Sequence, residues 1–380
     1  MLSITFVSEQ VAEIVNGRYH NSSLFSFLER YRKFGRVTTC CYSIVKESSK
    51  NKEIFFDDSN QYIQLNKPNN IYRRFFATSY NYKVLEDSIK RSDLVICHLP
   101  SVPGNIAVNI AKKYNKPYII GCVGCIWDSL FNYNWKGKLL APYEYFKMKK
   151  IIQRAPYVFY VTQKFLQQRY PTTGKTIGCS NVDIEIANDE ILNQKKEFLT
   201  KVTNEINLMT SAAVNVRYKG QQYVIQAMSR LIKEGYNFHY YLAGGGDNSY
   251  LRNLATNLGI EKNVHFLGQI SRKEIFQYLE KTHCYIQPSK QEGLPRALIE
   301  AMSRACPALG STTAGIPELL PRECLFRAND VNKICHLLKS LNTKKYLELS
   351  RINFEKAKLY DRNILNKRRD NFFRTIIESL

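Results

Sequence analysis

A chain of 380 residues, 44% hydrophobic and 23% charged, has the length for two ordinary domains and the composition of a folded protein, which excludes intrinsic disorder. Lysine and arginine number 55 against 33 aspartates and glutamates, a formal net charge of +22. An excess of that size favours an anionic partner, whether nucleic acid, an anionic membrane surface or a phosphorylated substrate.

No apolar run approaches the roughly 18–20 residues that span a bilayer. The opening Met1-Leu2-Ser3-Ile4-Thr5-Phe6-Val7 lacks the basic leader and cleavage site of a signal peptide, so the chain is expected in the cytoplasm. Of the ten cysteines, Cys122 and Cys125 form one CxxC without a second pair to complete a zinc site. Cys40, Cys97, Cys284, Cys306 and Cys324 fall in or beside apolar stretches, as reduced structural thiols do. No metal and no cofactor is expected.

In chain order, short apolar runs alternate with helical patterns, the rhythm of parallel-sheet α/β domains. Strands are expected at 2–7, 37–43, 94–98, 118–122 and 157–161. The spacing of Leu24, Phe27, Leu28 and Tyr31 predicts a helix over 22–34, and another runs over 105–114, after Gly104 and before Pro117. The segment 135–154 carries Lys136, Lys138, Lys147, Lys149, Lys150 and Arg154 among Leu139, Leu140, Tyr143, Phe146 and Ile151. It reads equally as a docking face for anionic membrane and as a surface helix with solvated lysines. The polar stretch 183–203 is expected to link two halves.

Strands then recur at 206–212, 238–243, 264–267, 284–287 and 308–310, with helices over 222–234 and 272–280. A basic amphipathic helix over 362–379 closes the chain and is expected to return across the hinge. The expected division is 1–190, 191–361 and 362–380. Two such domains leave a cleft at the carboxyl ends of their sheets, where ligands of these folds bind.

Three strand-to-helix loops of the second half carry the chemistry. In Gln287-Pro288-Ser289-Lys290-Gln291-Glu292-Gly293-Leu294-Pro295 a strand ends and a helix opens near Pro295. Glu292 sits on that loop, and Glu300, eight residues on, falls in the second turn of the helix, so both carboxylates can face one pocket. The helix N-terminus favours a phosphate, and a carboxylate can accept hydrogen bonds from sugar hydroxyls. The plainer alternative is an ion-pair ladder of Glu300 with Arg296 and Arg304, four residues to either side. A second loop, Val216-Arg217-Tyr218-Lys219-Gly220, offers a lysine on the cleft side. A third, Leu242-Ala243-Gly244-Gly245-Gly246-Asp247, offers bare backbone.

The series Tyr218-Lys219-Gly220, Ala243-Gly244-Gly245-Gly246, Val264-His265-Phe266-Leu267-Gly268, Pro288 to Pro295, Leu298-Ile299-Glu300-Ala301-Met302 and Ala314-Gly315-Ile316-Pro317-Glu318 resembles, in order and spacing, the large retaining glycosyltransferase family with the GT-B fold and the Glu-x7-Glu motif, the family-4-like enzymes. The match is dense over 205–320. The first half shares the layout, and Leu99-Pro100-Ser101, Trp127-Asp128 and Tyr160-Val161-Thr162 are similar to segments of bacterial capsule and surface-polysaccharide members.

The resemblance implies two Rossmann-like domains facing across a cleft, with the C-terminal helix packed back on the N-terminal domain. Lys219 and Glu292 would be catalytic, Lys219 on the diphosphate and Glu292 on the donor sugar. Gly293, Leu294 and Pro295 would offer the loop and helix start, and Glu300 would hold the ribose. Arg217, Gly220, Gly244 and Gly245 would complete the donor side, and Gly17, Trp127 and Asp128 the acceptor side.

The sequence departs from the family in three places. Val214 stands where an arginine is usual, so Arg217 would supply the second cation. Ala305 stands for a glycine, and Val123-Gly124 holds the approximate place of a histidine. His20 and His98 are poor substitutes for that histidine; His98, closing an apolar strand, reads as structural.

The implied activity is transfer of a sugar, with retention and without a metal, from a nucleoside-diphosphate donor to a saccharide acceptor. That acceptor would be lipid-linked, on the inner face of a bacterial membrane, in surface-polysaccharide assembly. Two other functions share the architecture, a sugar-nucleotide epimerase and a non-catalytic scaffold. A nucleic-acid partner is disfavoured, because the basic residues spread over both halves without a helix-turn-helix, zinc finger or aromatic RNA motif.

Overall fold

Apolar runs without alternation, such as Leu94–Leu99 with all six residues buried, belong inside a sheet covered on both faces. The computed structural model describes residues 2–380 apart from 50, 52, 58–59, 68–70, 187 and 202–203, and without the side chains of 23 and 71–77. Of the expected link, residues 187 and 202–203 lie outside the described residues.

The first sheet contains β1 (Leu2–Val15), β2 (Arg18–His20), β3 (Gly35–Val45), β4 (Glu53–Ile54), β5 (Asn60–Leu65), β6 (Leu94–Leu99), β7 (Tyr118–Cys122), β8 (Tyr157–Tyr160) and β9 (Lys175–Gly178). Its parallel part runs β5-β3-β1-β6-β7-β8-β9, and β2 and β4 extend the end of β1 antiparallel. The second sheet contains β10 (Glu205–Ser211), β11 (Asn237–Ala243), β12 (Val264–Gly268), β13 (Cys284–Gln287), β14 (Ala308–Ser311) and β15 (Leu325–Phe326). It is parallel throughout, in the order β12-β11-β10-β13-β14-β15. Each sheet grows outward both ways from its first strand. The order therefore reverses between β1 and β6 and between β10 and β13, where a crevice opens at the carboxyl ends.

Three elements differ from expectation. The first strand does not stop at residue 7. It pairs with β6 over Ile4–Val7, shifts register against β3 between Val7 and Val11, and continues to Val15. Ser8–Gln10 thus form a bulge, which leaves the ladder and re-aims side chains. Asn16 and Gly17 then turn into β2 with φ of 48° and 77°, the Asn-Gly hairpin turn.

The helix expected over 105–114 starts earlier, as Val102–Lys113, because Ser101 caps it: Ser101 Oγ accepts from Gly104 N at 2.9 Å. The polar link holds a helix, Glu190–Thr200, that belongs to the second half. Its Leu192 and Leu199 are buried, and buried Lys195 donates to the carbonyls of Leu279, Glu280 and Thr282 at 2.6, 3.0 and 2.6 Å. A lysine that satisfies three carbonyls at a helix end reads, in sequence, like any solvated one.

The C-terminal helix Arg362–Ile377 returns to the first domain. Arg362 N donates to Ile184 O at 2.7 Å where the two crossings meet. Phe373 and Ile376 join Ile4, Phe6, Leu28 and Tyr31 in one core, with the Tyr31 and Phe373 rings 5.3 Å apart. All ten cysteines are free, and nine of them are buried.

Candidate active site

The two crevices face each other across a cavity of about 780 Å³. Ser8, Glu9 and Gln10 of the β1 bulge, His98 and Ser101 after β6, Val123 after β7, Val161 and Asn181 form one wall. Ser211–Ala213 after β10, Lys219, Arg272, Gln287, Glu292–Ala297 and Glu300 form the other.

The second wall is built by two loops that hold each other. Gly220 adopts φ +80°, and a Cβ there would fall 2.1 Å from Pro288 O, so only glycine lets the 217–220 turn seat on the 288–292 loop. Lys290 N donates to Tyr218 O at 2.7 Å, closing the same contact. Lys219 Nζ is thereby brought 2.7 Å from Glu292 Oε1. Gln287 Nε2 also donates to that oxygen at 3.1 Å, while Gln287 Oε1 accepts from buried Tyr285 OH at 3.0 Å. Glu292 is therefore fixed from two sides.

The helix Arg296–Ser303 begins after Pro295 with no side chain capping its first N–H groups. Leu294, Pro295, Arg296 and Ala297 all line the cavity, so the positive end of that helix faces it. Glu300 lines it too, paired with Arg272 Nε at 3.3 Å. Burial pushes the Glu300 carboxyl above the usual carboxylate range, opposed by Arg272 and then Arg296. The ladder alternative is thus half met: Arg296 acts on Glu300, whereas Arg304 stacks on Phe276, 4.1 Å from its ring centre. Arg272 was not read from sequence. Its signal was its place, directly after Ser271, the cap of a helix opening beyond the third strand of the domain.

Of the residues singled out by sequence, Lys219, Glu292, Gly293, Leu294, Pro295 and Glu300 meet in the cavity. Arg217 does not line it; its guanidinium lies 4.2 Å from the Tyr250 ring centre, so the second lining cation is Arg272. Gly220, Gly244 and Gly245 do not line the cavity. At Gly244 a Cβ would fall 2.0 Å from Ala212 O, which makes it a packing glycine. Val214 is buried, and Ala305 takes a φ of 51°, the conformation a glycine in its place would supply.

On the other side, Gly17 is in the β1–β2 turn. Trp127 stacks on Phe131 at 5.9 Å, and Asp128 pairs with Arg169 at 3.5 Å. None of these three lines the cavity.

His98, read as structural, does line it. Phe6, Phe27 and Phe159 surround its ring at 4.9, 4.9 and 5.7 Å, and Gly121 leaves room for it, since a Cβ there would be 2.6 Å from His98 Cδ2. Burial, with Arg30 adding, pushes its pKa down to about 3, so the ring is neutral. Two buried polar atoms in this wall, His98 Nε2 and Gln10 Oε1, have no hydrogen-bond partner. Among the described residues no cluster of three or more His, Cys, Asp or Glu could hold a metal ion.

The family model "Glycosyl transferases group 1" matches residues 193–350, which include Lys219, Arg272, Glu292 and Glu300. Protein CapJ of Staphylococcus aureus is 35% identical over 273 residues, 70% of this chain and 67% of CapJ. The chain belongs to the group 1 glycosyltransferases.

A shorter stretch of this glycosyltransferase is 33% identical to the amylovoran biosynthesis glycosyltransferase AmsK of Erwinia amylovora, over 27% of each chain. Its fold is the GT-B fold. Sucrose-phosphate synthase of Thermosynechococcus elongatus superposes with a TM-score of 0.75, covering 100% of both chains at 14% identity. Anabaena HepE, solved with UDP and glucose, gives 0.67 over 98% of this chain and 100% of its own, also at 14% identity. His98 and Gln10 lie outside the matched segment 193–350, in the half of the glycosyltransferase where sequence offered least.

Proposed function

We propose that this glycosyltransferase moves a sugar, with retention of anomeric configuration, from a nucleoside-diphosphate donor to a saccharide acceptor. The observation that carries this is the meeting of Lys219, Glu292, Glu300 and an uncapped helix N-terminus in one cavity at two facing switch points. Lys219, Arg272 and the N–H groups of the helix Arg296–Ser303 take the diphosphate, on which negative charge grows as the glycosidic bond breaks. Glu300 accepts from the ribose hydroxyls and Glu292 from the donor sugar, with Gly293 and Leu294 presenting backbone amides. Three cations in one wall, Lys219, Arg272 and Arg296, offset the diphosphate charge, so transfer is expected to persist in EDTA.

The acceptor enters along the opposite wall, where Gln10 Oε1 and His98 Nε2 await partners. It attacks on the face from which the diphosphate leaves. HepE was solved with UDP and glucose, which makes UDP the first nucleotide to try. AmsK is named for amylovoran biosynthesis, which supports a role in bacterial surface-polysaccharide assembly; in this reading the acceptor is a lipid-linked saccharide and the working place the cytoplasmic face of the membrane. Among the described residues no helix is long and apolar enough to cross that membrane.

Thermal unfolding with UDP, GDP, ADP and CMP tests the donor site. A ligand at 100 times its Kd adds about 2.7 kcal/mol, and one diphosphate is expected to raise the midpoint selectively. Lys219→Ala should abolish that rise and lower kcat by roughly 10²–10³. Full transfer by Lys219→Ala, or a product of inverted anomeric configuration, would overturn the assignment. Isomerised donor in the absence of acceptor would identify an epimerase instead.

A further inference from the structure

The helix Trp135–Gln153 is apolar on two opposite faces. One face, Gly137, Ala141, Met148 and Ile152, is buried against the domain. The other is turned to solvent: Trp135, Leu139, Tyr143 and Phe146 are 67%, 72%, 65% and 65% exposed. Their spacings of four, four and three residues align them along one side of the helix. Leu139 stands two positions from both Gly137 and Ala141, about 200° around the axis, so the exposed ridge is opposite the buried one. At 1.5 Å per residue the ridge is about 16 Å long. Soluble proteins scatter exposed apolar side chains singly; a contiguous row marks a surface that something covers.

The charges beside the ridge say what covers it. The helix carries five lysines and one glutamate, and that Glu144 is already paired with Lys147 at 3.7 Å. The lysines lie alongside the exposed rings. Lys136 is 5.6 Å from the Trp135 ring centre, Lys147 5.8 Å from that of Tyr143, and Lys138 5.3 Å from that of neighbouring Phe131. A two-fold contact with a second copy would set lysine against lysine. A negatively charged sheet of lipid would meet every lysine while the rings and Leu139 enter the acyl boundary.

We propose that this ridge docks the protein on an anionic lipid bilayer. The docking surface is tied to the catalytic cleft. Asn132, three residues before the helix, donates from Nδ2 to Lys290 O at 3.2 Å, and Gln291 Nε2 donates to Ser129 Oγ at 2.7 Å. Lys290 and Gln291 directly precede Glu292, so the bilayer-facing segment borders the loop that carries it. The purpose of docking, delivery of a lipid-linked acceptor, rests on the function proposed above; the docking itself does not.

Sedimentation of the purified full chain with vesicles tests it, in phosphatidylcholine alone and in phosphatidylcholine mixed with phosphatidylglycerol. Binding to the anionic vesicles only, weakened by salt, is expected. The double variant Leu139→Glu, Phe146→Glu changes side chains that are mostly in solvent and should keep the unfolding midpoint while losing the vesicles. Lys138→Gln, Lys147→Gln and Lys150→Gln together should weaken binding by about 100-fold.

Three results would overturn the proposal: no binding to anionic vesicles, undiminished binding by the Leu139/Phe146 variant, or a lipid-free dimer that the same variant dissociates. The assay contains no donor or acceptor. Failed transfer therefore counts against the proposed function alone, and failed sedimentation against docking alone.

Discussion

His98 is a polar group confined where charge is costly. Three phenylalanine rings enclose it and Arg30 adds repulsion, so its pKa is pushed down to about 3. His283 behaves likewise: burial first and Lys195 second push it down to about 4. Its Nδ1 accepts from Asn207 N at 3.0 Å, which requires the neutral ring. In the unfolded chain both rings bind a proton below about pH 6.5. Between that value and the folded pKa the unfolded state holds more protons than the folded one, so stability falls as the solution is acidified. At about pH 5 each ring contributes a loss of about 2 kcal/mol relative to neutral pH. The unfolding midpoint is expected to drop on going from about pH 7.5 to about pH 5, and His98→Leu should make that drop smaller. An unchanged drop in the variant would show that the ring is not held neutral.

At the scale of elements, the two domains are clasped by a cap that crosses between them. The Glu318 carboxylate accepts from Gln163 N at 2.6 Å, Lys164 N at 3.0 Å and Phe165 N at 2.6 Å. Those are orphan donors at the start of the helix Phe165–Arg169, where Lys164 at the N-cap supplies no side-chain acceptor and Thr162 Oγ1 takes only Leu166 N, at 3.0 Å. A carboxylate on a helix N-terminus is favoured by charge as well as by hydrogen bonding. Glu318→Ala should cost roughly 1–3 kcal/mol, read as a lower denaturant midpoint, and Glu318→Gln less, because one oxygen can still accept. Equal stability of all three proteins would mean that water replaces the clasp.

Glu318 was visible in Ala314-Gly315-Ile316-Pro317-Glu318 as part of a motif, but its partner was not, since 163–165 lie about 150 residues upstream. The donor wall was legible for the opposite reason. Lys219 follows β10, and Glu292 and Glu300 both follow β13, its neighbour in one parallel sheet, and the strand–helix rhythm places such loops at one edge. The first-domain wall depends on a bulge at Ser8–Gln10, on a histidine whose apolar neighbours make it read as core, and on the backbone at Val123. No local pattern announces any of these.

The whole molecule works only if the two walls stand at one distance, and the close approach at Gly293 is one of the contacts that fix it. Its own carbonyl accepts from Gly315 N at 2.9 Å, which fixes the 292–295 loop to the second domain. A Cβ at Gly293 would lie 2.5 Å from Val123 O and 3.5 Å from Val161 Cγ2, both of the first domain. The nearer atom is backbone, held by Val123 N donating to Leu99 O at 2.8 Å, so it cannot swing aside as a side chain would. Gly293→Ala must therefore move one domain against the other by a fraction of an ångström or more. It carries Glu292 away from the acceptor wall without touching either domain's core. A misplacement of about 1 Å between reacting groups costs on the order of 10²-fold in rate. The variant is expected to lose about that much kcat while keeping its unfolding midpoint and its response to the donor nucleotide, because the diphosphate contacts proposed above all lie in the second domain. Gly124→Ala is the control: the nearest atom its Cβ would meet is Pro100 Cδ at 3.7 Å, an ordinary contact. Equal rates for the two variants would show that the cleft closes to different separations in solution, whereas a selective loss at Gly293 would make this glycine the spacer between donor and acceptor.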